Sequence, residues 1–174
     1  MRSSGFTLIE LLTTISISAI LLTIGLPNFF NQIQQSRVKT ATLNLQEALQ
    51  FTRGQAVFSN TRASIVKQAN WHDGWEIFID KNNNGVRELN EDVIKLNDKL
   101  SGVRISTTEP VQNYVSFVGT GEALKAHGKT GGAFQAGTFT ICPEAKGAGY
   151  ELTLARGGRV RKSDITEREC EAKR

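Results

Sequence analysis

The chain has 174 residues, enough for one domain of ordinary size with a full core. Charged residues make up 22% and hydrophobic ones 39%, which excludes an intrinsically disordered chain. The formal net charge of +4 is too mild to commit the protein to nucleic acid or anionic lipid by itself.

The first element is apolar. From Phe6 to Leu26 runs a stretch of roughly twenty mostly apolar residues, the length at which a helix spans a bilayer. Arg2 precedes it and no acidic residue does, which places the N-terminus on the cytoplasmic side. A secretory signal would carry a shorter apolar region followed by a small-residue cleavage site, and Pro27-Asn28-Phe29-Phe30 fit that site badly. The small residue is instead Gly5, ahead of the run. Glu10 lies inside the run, where an ionised carboxylate is expensive and is functional by default.

Gly5-Phe6-Thr7-Leu8-Ile9-Glu10-Leu11-Leu12 resembles the processing motif of type IV pilins and type II secretion pseudopilins. The resemblance implies that a prepilin peptidase cuts after Gly5 and methylates Phe6. It also implies that Glu10 pairs with the amine of a neighbouring subunit, and that Pro27 is the proline near the end of the apolar part of the helix.

Beyond Pro27, Phe30, Ile33, Val38, Ala41, Leu45, Ala48, Leu49 and Ala56 recur at spacings near three and four. Gln32, Gln35, Arg37, Lys39, Asn44, Glu47 and Arg53 fill the other face, so an amphipathic helix is predicted to about Asn60. Span and extension together would cover roughly 80 Å at the α-helical rise. Pro27 is expected to kink it.

From Ala63 the period changes to two. Residues 64–66, 75–79, 93–96, 114–118, 138–141 and 150–154 read as short strands separated by glycine- and asparagine-rich turns. One long helix followed by strands is an α+β layout, with antiparallel β-sheet packed on the helix. Residues 126–137, with four glycines, read as a flexible loop, and 100–137 carries no recognised signature. The segment from Gly74 to Leu96 resembles the hairpin of the GspH/FimT-type subgroup of minor pilins and pseudopilins, and Phe139-Thr140-Ile141-Cys142 with Gly157 to Arg161 resembles its C-terminal strands. The implied plan is pilin-like: leader peptide 1–5, transmembrane helix segment 6–26, periplasmic amphipathic helix 27–60 and β-rich globular domain 61–174.

Several local patterns suggest chemistry. Asp80 to Glu91 fits an EF-hand calcium loop letter for letter, with Asp80, Asn82, Asn84 and Glu91 as candidate oxygen ligands. Strands rather than helices flank it, and Lys81 and Arg87 sit within it, so a hairpin turn is the preferred reading. Gly128-Lys129-Thr130 echoes a phosphate-binding loop, but Ala123 stands where its first glycine is needed. His72 and His127 have no ligand or nucleophile at useful spacing, so no catalytic constellation and no cofactor is expected.

The tail is basic. Arg156, Arg159, Arg161 and Lys162 fall close together, and an extended strand would turn Arg159 and Arg161 to one side, a fork for phosphate oxygens. Gly158-Arg159-Val160-Arg161 resembles the "GRxR" pattern of FimT-type minor pilins implicated in DNA binding during natural transformation, and Lys125 and Lys129 would extend the patch. Cys142 and Cys170 are expected to pair in an oxidising periplasm and to stay reduced in a cytosol.

The resemblance implies a minor pilin or pseudopilin, not an enzyme. It would be anchored in the inner membrane with a periplasmic domain, then assembled with other subunits into a type IV pilus or secretion pseudopilus, in a priming or tip role. The partners expected are the prepilin peptidase, other pilin or pseudopilin subunits and double-stranded DNA. The alternative is a dedicated DNA receptor for uptake.

Overall fold

The computed structural model describes residues 7–127 and 132–173. Gly5, Phe6 and Lys129 lie outside them, as do the side chains of residues 24–28, Pro27 among them. The chain divides into two compact units, Met1–Gln34 and Gln35–Arg174.

Helix α1 is assigned from Leu8 to Ser59. Its apolar N-terminal part carries several hydroxyls, and each is satisfied within the helix. Ser16 Oγ donates to Leu12 O at 2.8 Å and Ser18 Oγ to Thr14 O at 2.8 Å, the back-bonding that lets small polar residues sit in an apolar segment. Among the described residues no helix is long and apolar enough to cross a membrane.

In the second unit the expected stripe is present. Val38, Ala41, Leu45, Ala48, Leu49 and Ala56 are buried, and Thr42 and Thr52 complete the same face. Each threonine hydroxyl donates 2.7 Å back to the carbonyl four residues earlier, so neither leaves an orphaned donor in the core. Burial begins at Val38; Phe30, predicted in the stripe, is 61% exposed and belongs to the first unit. Asn60, in the left-handed region at φ 47°, ends the helix.

Eight strands follow: β1 Ala63–Lys67, β2 Trp75–Ile79, β3 Val93–Asn97, β4 Val103–Thr107, β5 Tyr114–Phe117, β6 Gly137–Pro143, β7 Gly149–Leu154 and β8 Val160–Ile165. They make two antiparallel four-stranded sheets, ordered β3-β2-β1-β5 and β4-β6-β7-β8, and a short helix α2 runs from Glu167 to Ala172. The α1 stripe packs with inward residues of both sheets in one core that includes Ile65, Ile77, Val115, Phe139, Ile141 and Leu152. Trp71 stands edge-on to Phe139 at 5.0 Å, and its indole N–H donates to Val111 O and Gln112 O.

Residues 126–137 do not behave as a free loop where they are described. Gln135 is fully buried, accepts the Ser116 N–H and donates to Pro110 O and Tyr114 O. Phe134 forms a bridge to Leu124. A buried amide with three partners holds this segment against β5.

Candidate functional site

The basic tail folds into an edge hairpin. β7 and β8 pair with Thr153 opposite Arg161 and Leu154 opposite Val160, and Ala155 N donates to Arg159 O at 2.9 Å to close the turn. Arg156, Gly157 and Gly158 form a three-residue loop with Gly158 in the left-handed position at φ +74°. Alternation then sets the faces. Val160 packs toward the core, so Arg159 and Arg161 share the opposite, outer face of the sheet. Thr153 and, beyond it, Thr138 continue the row from Arg161 with uncharged hydroxyls. The nearest acid on that face, Glu151, is taken by Lys173 and the Thr140 hydroxyl.

The patch read from sequence is therefore divided. Lys162 lies on the face opposite Arg161, its ammonium 4.9 Å from the Tyr150 ring centre. Arg156 covers the Phe134 ring at 5.8 Å. Lys125 is exposed and close by in the fold, because its own N–H donates to Ala133 O while Ala123 N donates to Arg156 O. β8 is an edge strand, and its cations guard an otherwise open row of backbone donors and acceptors.

Sequence reasoning missed the residues that build the other side of this turn. Arg53, placed only on the polar face of α1, donates its Nε to Gly121 O at 2.8 Å, 68 residues away. A Cβ on Gly158 would sit 2.1 Å from that same carbonyl and 2.9 Å from Arg53 Nε, so only glycine fits. Between the last turns of α1 and the hairpin lies a groove of about 710 Å³, lined by Arg53, Val57, Phe58, Thr120 and Arg159 among others. No local pattern announces a site whose parts meet only on folding.

The Asp80 loop is a hairpin turn between β2 and β3, and its side-chain oxygens face the loop's own backbone. Asp80 is fully buried and accepts Asn84 N at 3.1 Å and Gly85 N at 2.9 Å, as well as the Ser64 hydroxyl. Asn82 Oδ1 also accepts Asn84 N, while Asn84 Oδ1 accepts Val86 N. Glu91 accepts Lys81 N and Glu88 N, one at each oxygen. Asn83 at φ 62° and Gly85 at φ 73° supply the left-handed turns. Nearly buried Arg62 stands behind the loop and donates to Asn83 Oδ1, Ser116 Oγ and Leu124 O. Burial pulls its guanidinium below the usual value, opposed by the charge of Asp80. Among the described residues, no group of three or more histidine, cysteine or acidic side chains is placed to hold a metal.

Cys142 and Cys170 form a disulfide with Cα atoms 5.8 Å apart. It fastens α2 to the end of β6, and with Ile165 makes a small cluster of its own. The span of 28 residues corresponds to about 3 to 4 kcal/mol of chain-entropy stabilisation.

At the other end of the chain, Glu10 caps α1. Its carboxylate accepts Thr7 N at 2.9 Å and Thr7 Oγ1 at 2.7 Å, while Thr7 Oγ1 accepts Glu10 N at 3.3 Å. This is a capping box, legible in Thr7-x-x-Glu10 and overlooked behind the cost of the charge.

The family described as Type II transport protein GspH matches residues 41–158, from the buried stripe of α1 to the glycine before Arg159. The chain belongs to the GspH family. A prokaryotic N-terminal methylation motif matches residues 1–26, in agreement with the reading of Gly5 to Leu12. Solved structures of similar fold include a minor pilin and a minor pseudopilin. The Pseudomonas aeruginosa type IV minor pilin FimU is 20% identical with a TM-score of 0.57, over 74% of this chain and 90% of that one. The Vibrio cholerae type II secretion minor pseudopilin EpsH is 14% identical with a TM-score of 0.53, over 74% and 97%. Comparison with curated proteins finds no match. The helix and antiparallel sheets of this GspH chain are the pilin-like arrangement of those two structures.

Proposed function

We propose that this protein is a minor pilin or pseudopilin that is cleaved after Gly5 by the prepilin peptidase and methylated on Phe6. It is then held in the bacterial inner membrane through residues 6–26, with its domain in the periplasm, and drawn into a type IV pilus or type II secretion pseudopilus. The observation that carries this reading is the joint presence of an N-terminal methylation motif at 1–26 and a GspH domain at 41–158. A priming or tip position suits a subunit of this class. Gly5→Arg places a bulky charge at the cleavage point. The expected outcome is accumulation of full-length precursor on immunoblots of membranes; normal maturation of this variant overturns the reading.

A second reading concerns DNA. Arg159 and Arg161 share an outer sheet face, and neither guanidinium has an ion-pair partner among the described residues. Unpaired cations beside a row of hydroxyls suit phosphate oxygens rather than base edges. The domain would then hold double-stranded DNA without regard to sequence, with Arg156 and Lys125 at the border of the patch, either within a filament or as a dedicated receptor for uptake. Binding of the full chain in detergent micelles should weaken steeply as salt rises. Arg159→Ala with Arg161→Ala should lower both the affinity and the salt slope. If the double variant binds as the parent does, the DNA reading is wrong.

A further inference from the structure

We infer that the groove at the end of α1 takes an unpaired nucleotide, so that this protein prefers single-stranded DNA or a strand end over blunt duplex. The inference rests on the DNA reading above and goes beyond it in naming the form of DNA that is held.

Three observations carry it. Phe58 stands in the last turn of α1, lines the groove and is 88% exposed. Its neighbours on the helix's inner face are in the core, whereas this ring offers an open face to solvent. Phe134, the other exposed ring near the hairpin, is already covered by Arg156. Second, the groove walls carry Arg53 and Arg159, and among the described residues no carboxylate lines them. Glu122, the acid next to this wall, is held by the Thr120 hydroxyl at 2.9 Å. Third, Arg53 is fixed in place by its bond to Gly121 O, against which Gly158 packs too closely for any side chain. The Arg53 guanidinium therefore belongs to a preformed wall, and Arg159 stands exposed on the hairpin beside it.

An open aromatic ring in a groove that also carries two arginines suits a nucleic-acid strand, in which bases alternate with phosphates. In an intact duplex every internal base is stacked on its neighbours and turned inward, so the ring has nothing to receive. An overhang or single strand presents a free base. The outer-face arginines remain available to duplex phosphates, so both modes use Arg159 and only one uses Phe58.

The test uses the full chain in detergent micelles with three fluorescent probes of one sequence: a single strand, a blunt duplex, and that duplex with an unpaired overhang. The parent should bind the first and third about tenfold more tightly than the blunt duplex. Phe58→Ala should abolish that preference while leaving blunt-duplex affinity within about twofold, since the stacking contact alone is lost. Phe58→Trp should keep it. Equal affinity of the parent for all three probes overturns the inference and leaves duplex binding standing. Retention of the preference by Phe58→Ala also overturns it. Should that variant keep its DNA preferences and fail only to enter filaments, the ring is a docking point for another subunit instead. A parent that binds no probe removes the DNA reading itself.

Discussion

Two adjacent glycines complete the β7–β8 loop, and the structure assigns them different roles. A Cβ on Gly157 would meet nothing within 4 Å, whereas one on Gly158 would collide with Gly121 O in a backbone of φ +74°. Gly158→Ala therefore combines a left-handed penalty with a clash against a carbonyl that already holds Arg53. A loss of roughly 1–3 kcal/mol is expected, or about 3 to 10 °C in melting temperature. Gly157→Ala should change stability by less than about 1 kcal/mol. Thermal denaturation of the two variants side by side checks the assignment; equal melting temperatures would show that Gly158 does not fasten the hairpin to α1. The same close fit holds the hairpin loop against Arg53, one wall of the groove.

At the scale of elements, α2 shows how a very short helix is kept. Thr166 N and Oγ1 donate to the Glu169 carboxylate at 2.7 and 2.8 Å, and Glu169 N returns a bond to Thr166 Oγ1. These bonds, with the charge of Lys173, hold the Glu169 carboxyl below the usual glutamate value. A carboxyl lowered in the folded state contributes stability that is complete above its unfolded value, about 4.3, and is lost as pH falls through the lowered one. Amide chemical shifts of Glu169 and Cys170 should therefore titrate with a midpoint below that of an ordinary glutamate, and Glu169→Gln should remove the titration while retaining the helix. A midpoint at or above the ordinary value would mean the box does not form in solution. The elements also show what the sequence makes readable. β1, β2, β5, β6 and β7 are legible to within a residue or two because burial of one face imposes a period, and the α1 stripe is legible from Val38 onward. β3 is legible from its apolar and β-branched residues although none of them is buried. Val103-x-Ile105 carries the same alternation in β4, but polar Arg104, Ser106 and Thr107 leave only two apolar residues to show it. α2 was missed although Thr166-x-x-Glu169 announces it, since six residues are too few to show a helical period. The division of the tail cations into Arg159 and Arg161 on one face and Lys162 on the other needed only the strand's exact start. Arg53 and Phe58 were not legible at all, because their importance arises from loops distant in sequence.

Across the whole molecule, chemistry is divided between the two ends of the chain, with Glu10 in the first unit and the arginine hairpin in the second. Glu10 has two candidate roles that its position alone does not separate. As the third residue after Thr7 it completes a capping box, which needs an acceptor but no charge. As an ionised group in an apolar run, it would pair with the N-terminal amine of an adjacent subunit, an attraction that offsets part of the cost of burying the charge and disfavours misplaced subunits. Two substitutions distinguish them. Glu10→Val removes both acceptor and charge, while Glu10→Gln keeps an acceptor for Thr7 and loses only the charge. Both variants should still be inserted and cleaved after Gly5, since neither change touches the cleavage point. If the charge drives assembly, both should be depleted from sheared filaments or cross-linked assemblies to a similar extent. Normal incorporation of Glu10→Gln beside failure of Glu10→Val would instead assign the residue to the cap, and the amine of the neighbouring subunit would have to find another partner.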